Sequence, residues 1–125
     1  MMTNEFLKHI ASLFYAVAKA DKTLSYEEYV VFSKTLDKHW TFLGNSKIEL
    51  IRKEFNALQK ENIASQVCFN NFVMFLHKHP QSFTKDLKTL ILKSANEIAY
   101  AFAKINKSEL NYMAKLSLEF KKIES

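Results

Sequence analysis

The chain has 125 residues, 48% of them apolar and 25% charged, with a formal net charge of +5. That balance suits one soluble globular domain over residues 1–125 and excludes a disordered chain. A lone glycine, Gly44, and a lone proline, Pro80, leave too little turn chemistry for an all-β sandwich or barrel, so the expectation is an all-α bundle.

The apolar residues in chain order give about six helices. Phe6, Leu7, Ile10, Leu13, Phe14 and Val17 form one helical stripe. The stretch "MMTNEFLKHIASLFYAVAKADK" that contains them has no cationic start and no continuous apolar run, which predicts neither a signal peptide nor a membrane span. Tyr29, Phe32, Leu36, Trp40 and Leu43 mark a second helix, with Gly44 placed to end it. Ser46-x-x-Glu49 reads as a capping box opening a third helix with Ile48, Ile51, Phe55 and Leu58 inward. A fourth carries Val67, Phe69, Phe72, Val73, Phe75 and Leu76 and stops before Pro80. The fifth, with Leu87, Leu90, Ile91, Ala95, Ile98, Ala99 and Phe102, is apolar over a broad arc and is expected at the centre of the bundle. The sixth begins near Lys107 and presents Leu110, Met113, Leu116, Phe120 and Ile123.

A faint internal echo links two of the connections. "VAKADKTLSYEE" (Val17–Glu28) aligns without a gap on "IAYAFAKINKSE" (Ile98–Glu109). Each copy has an alanine-spaced helix end, a turn closed by Leu24 or Ile105, and Ser25 or Asn106 followed three residues later by Glu. Small alanines allow close approach, the branched residue plugs the turn, and the box restarts a helix at about 1 kcal/mol per cap. Two related helical hairpins follow.

The first copy invites a calcium reading, and its register settles that point. With Glu28 at the last ligand position of an EF-hand loop, Asp21 falls at the fifth, but Lys22 replaces the required Gly, and Lys19 and Val17 occupy two ligand positions. It is not an EF-hand. The stretch "AKADKTLSYEEY" instead resembles the A-x-A-D-G-x-(I/V/L)-S-x-x-E hairpin of the tellurite-resistance TerB-like family, an all-helical bacterial domain. A similar hairpin recurs near the C-terminal end in that family, as the echo does here. The resemblance implies a tellurite- and stress-response setting and acidic residues linked to divalent metal. Asp21 and Glu28 match the first motif, and Asn106 and Glu109 match the cap and Glu of the second. Lys22 stands in place of the usual Gly, and Phe102 in place of the second Asp. Hard divalent cations take oxygen ligands, so a weakly held Ca²⁺ or Mg²⁺ would draw on Asp21, Glu27, Glu28 and Glu109 if the hairpins meet. Competing with this, Glu28 closes a cap, and acids at helix starts need no ligand.

Elsewhere the sequence is plainer. Cys68, the one cysteine, forbids an internal disulfide, favours the cytoplasm, and reads as a buried small hydrophobe. His9, His39, His77 and His79 lack the ligand spacing zinc needs and have no evident acidic partner, so His77 and His79 are read as compensating a helix dipole. Only one of the 18 basic residues is arginine, Arg52, which argues against specific nucleic-acid readout. Residues 63–125 hold 9 bases against 5 acids, either a mildly basic face for an acidic partner or simply solvated helix surface. No nucleophile–base pair, phosphate loop or HExxH pair is present, so no catalytic residue and no certain cofactor is named. The expectation is a non-enzymatic module that binds another protein. Its alternative is a metal-free adaptor or toxin-neutralising partner, with Tyr15, Tyr26, Tyr100 and Tyr112 as interface anchors.

Overall fold

A computed structural model describes residues 2–20, 24–100 and 107–124, with the side chains of 107–109 excepted. The described residues hold six α-helices: α1 (Asn4–Lys19), α2 (Tyr26–His39), α3 (Asn45–Lys60), α4 (Ser65–Lys78), α5 (Lys85–Ala99) and α6 (Lys107–Lys122). Short 3₁₀ turns at Thr41–Leu43 and Pro80–Ser82 join α2 to α3 and α4 to α5. No strand occurs among the described residues. The fold is the all-α bundle that the scarcity of glycine and proline predicts.

The central helix is α1, not α5. It packs against all five other helices, and every residue from Ile10 to Ala18 is buried. A helix buried all round must avoid bulky polar groups, and here Ala11, Ser12, Ala16 and Ala18 supply the small sides that let neighbours close in. Periodicity missed this because alanine and serine read as neutral between the larger stripe residues. Thr3 caps the helix by accepting a hydrogen bond from the Phe6 amide at 3.1 Å. Ala20 ends it in the left-handed region at φ 38° and ψ 51°, its amide bonded to the Ala16 carbonyl.

The ends of α2 and α3 also depart from expectation. The second helix stops at His39, because Trp40 turns inward to full burial and its indole N–H donates to Ser94 Oγ at 2.9 Å. Leu43 therefore lies in the 3₁₀ turn rather than on the helix. Gly44, at φ 88° and ψ 159°, serves as the N-terminal cap of α3, so Asn45 opens that helix and the Ser46–Glu49 box does not form. Such a backbone conformation is essentially restricted to glycine. At the far end of α3 a Schellman motif closes on Asn62, with the Ile63 amide bonded to the Leu58 carbonyl and the Asn62 amide to that of Gln59.

Two aromatic clusters fill the core around α1. Phe32 stacks on Phe55 with ring centres 3.8 Å apart, and Phe14 meets both Phe32 and Trp40 edge-on. Phe6, Phe72, Phe75, Phe83 and Phe120 form the other cluster. Val67, expected to face inward, is exposed; α4 buries Cys68, Phe69, Phe72, Phe75 and Leu76 instead. Tyr15 and Tyr112 belong to the core as well, at 1% and 4% exposure, so neither is a surface anchor. The Tyr15 hydroxyl donates to the Ile63 carbonyl at 2.9 Å and ties α1 to the α3–α4 connection.

Candidate functional site

The first hairpin is built by the residues the sequence singles out. Ala16, Ala18 and Ala20 are buried where α1 ends, and Leu24 is partly buried against the core. Ser25 and Glu28 form the full capping box: the Ser25 amide donates to Glu28 Oε1 at 3.0 Å, and the Glu28 amide donates to Ser25 Oγ at 3.1 Å. Two donors at the start of α2 are thereby satisfied. Glu28 is consequently buried at 8% exposure, while the adjacent Tyr26 and Glu27 project into solvent. Tyr26 is the most exposed large apolar side chain among the described residues, at 77%. With Tyr29, Asn56 and Gln59 it lines a shallow groove between α2 and α3.

The four acids of the metal reading are distributed unevenly. Glu27 is exposed, and Glu28 has one carboxylate oxygen on the Ser25 amide. Asp21 lies outside the described residues, as do Phe102 and Asn106. Glu109 falls within α6, but its side chain is outside them too. Among the described residues no group of three or more His, Cys, Asp or Glu side chains could hold a metal ion. Glu27 and Glu28 alone supply far fewer than the six to eight oxygens calcium takes, so any such site depends on Asp21 and Glu109.

The structure brings together two histidine–acid pairs that lie far apart in sequence. His39 Nε2 is 2.9 Å from both oxygens of Glu97, and Thr35 Oγ1 and Lys38 Nζ reach the same carboxylate at 3.5 and 3.4 Å. Burial pushes the Glu97 carboxyl up, but the hydrogen bonds and charges of His39 and Lys38 outweigh it and hold the group below the usual carboxylate range. Between α4 and α6, His77 Nε2 meets Glu119 Oε1 at 2.7 Å. That hydrogen bond, against burial and with help from Lys122, lowers Glu119. Both pairs correct the expectation that the histidines lack acidic partners. A helical stripe reveals neither, because the partners sit 58 and 42 positions apart. One faint signal existed: Glu97 is an acid in the last turn of α5, where the helix dipole disfavours it, and a cationic neighbour would offset that.

The remaining titratable groups serve structure. Burial, with a smaller effect from Glu54, pushes the Cys68 thiol up to about 11, in keeping with a buried, unreactive side chain. Arg52 spans α2 and α3: its Nε donates to Ser33 Oγ at 3.0 Å, and its guanidinium pairs with Asp37 and Glu49. The one arginine is a helix staple.

The described residues form an all-α bundle with α1 at its centre and a capping box opening α2. The family is equally plain. The chain belongs to the family of tellurite resistance protein TerB, whose model matches residues 7–121. No curated protein and no solved structure matches it. No described helix is long and apolar enough to cross a membrane.

Proposed function

We propose that this TerB-family protein is a non-enzymatic stress-response module that acts by binding another protein through the surface of the first hairpin. The observation that carries the reading is Tyr26, a large aromatic ring 77% exposed on the first turn of α2, beside an exposed acid and a groove lined by Tyr29, Asn56 and Gln59. Aromatic rings of this kind are enriched among the residues that anchor interfaces, since they bury much area at little entropic cost. Tyr100, at the C-terminal cap of α5 where the second hairpin begins, is exposed as well. The match to the family of tellurite resistance protein TerB supports the stress-response setting.

A weak divalent ion, Ca²⁺ or Mg²⁺, at Asp21, Glu27, Glu28 and Glu109 forms part of this proposal; the metal-free adaptor or toxin-neutralising partner is its alternative. Titration of ¹⁵N-labelled protein with either cation distinguishes them. Saturable shifts of the Asp21, Glu27 and Glu28 amides are expected with metal, and no shift at millimolar concentrations leaves the metal-free module. The binding role itself is tested by copurification from the native host. Tyr26→Ala is expected to lose a partner that the wild type retains; a partner held equally by both would refute a role for this surface.

A further inference from the structure

We infer that the groove between the start of α5 and the end of α6 is a second docking surface, fitted to an acidic amphipathic segment of a partner protein. It lies at the end of the α5–α6 pair away from the connection between the two helices, and the inference is independent of the hairpin reading.

Three cations converge there. Lys85, Lys88 and Lys121 line the groove with a single carboxylate, Glu124, and its apolar floor is made by Leu92 and Phe120. Lys85 and Lys121 are exposed, whereas the Lys88 side chain is largely covered. The basic excess of residues 63–125 is therefore partly gathered in one place rather than spread over solvated faces.

The chain itself demonstrates which chemistry suits the groove. Glu124 Oε1 sits 3.5 Å from Lys88 Nζ, and Glu124 remains mostly exposed. A carboxylate thus enters the groove, yet one acid does not match three lysines. An incoming acidic segment would find Lys85 and Lys121 on the rim and would compete with Glu124 for Lys88.

The surface beside the groove completes the match. Leu110, Ala114 and Leu118 are exposed at i, i+4 and i+8 along α6, so they form one apolar strip. Lys121 follows Leu118 by three positions and Ser117 by four, which makes it the neighbour of both strip and groove. Exposed leucines contribute nothing to contact with a nucleic-acid backbone, and the lining includes neither an arginine nor an exposed aromatic platform for bases. Alternating aliphatic and carboxylate side chains fit both parts of the surface, in the helix-in-groove mode.

The experiment measures fluorescence anisotropy of a labelled peptide that repeats Leu-Glu-Glu-Leu-Leu-Glu-Glu, titrated with the whole protein. Saturable binding is expected, weakening with added salt and shifting the amides of Thr89, Leu92 and Ser117. The double variant Lys85→Glu with Lys121→Glu should bind roughly tenfold more weakly. Glu124→Gln should bind roughly twofold to threefold more tightly, since it frees Lys88. Circular dichroism confirms that both variants stay folded. Equal binding of the peptide with Gln in place of every Glu, no effect of the lysine reversals, or amide shifts confined to the first hairpin would overturn the inference. Binding to phosphatidylserine vesicles without binding to the peptide would overturn it in favour of a membrane surface.

Discussion

Single residues decide where these helices stop and how they are tied. Tyr15 shows how a polar atom inside the core can be stabilising rather than costly, because its hydroxyl finds the Ile63 carbonyl at 2.9 Å. Burial, and to a lesser degree Cys68, pushes that hydroxyl up to about 12, so it remains a donor at any physiological pH. Tyr15→Phe should cost about 1–2 kcal/mol in chemical denaturation, the loss of one hydrogen bond to a buried carbonyl. A change under a few tenths of a kcal/mol would mean that water replaces it. Gly44 is a conformational requirement of a different kind. An added Cβ meets no atom within 4 Å, so Gly44→Ala should lose stability through φ alone, by about 1–3 kcal/mol. Cys68 should resist a thiol reagent in the native protein and react fully once the chain is unfolded.

At the level of helices and their junctions, sequence reading succeeds where the signal is local. The Ser25–Glu28 box spans four residues, and its two hydrogen bonds form as the pattern predicts. The Ser46–Glu49 box has the same pattern and does not form, because Gly44 supplies the cap two residues early and Arg52 claims Glu49. Identical local signals thus diverge when a neighbouring glycine or a side chain of the same helix takes over the partner. The His39–Glu97 and His77–Glu119 pairs are illegible for a different reason, since each exists only after two helices have packed. Of the candidate site, the cap and the exposed Glu27 could be read from the sequence; the convergence of Lys85, Lys88 and Lys121 could not.

The Glu97 hub gives the α2–α5 contact a defined dependence on pH. A carboxyl held below its unfolded value contributes stability that is present above the unfolded pKa, near 4.3 for glutamate. That contribution is lost as pH falls through the lower, folded value. Wild-type protein should therefore lose stability steeply below about pH 4. Glu97→Gln should be less stable near neutrality and show a shallower acid slope. Equal slopes for the two proteins would show that Glu97 gains nothing from His39 and Lys38.

For the molecule as a whole, the central position of α1 organises everything else. It meets all five other helices, and the α2–α5 and α5–α6 contacts close the bundle around it. Leu13→Ala, at a fully buried site, should cost about 2–5 kcal/mol by removing packed atoms from the core. Around it, the outer faces of the surrounding helices present exposed Tyr26 and Glu27 at the start of α2 and a basic groove at the start of α5. Membership in the TerB family accords with the all-α scaffold.

The central claim is that the first hairpin is where a protein partner docks. Site-specific photo-cross-linking in the native host tests it most directly, with benzoylphenylalanine placed at Tyr26 or, for comparison, at the exposed Val67 of α4. The account predicts a discrete protein adduct from position 26, weakened by Glu27→Lys, and none from position 67. An adduct from position 67 with none from position 26 would contradict it.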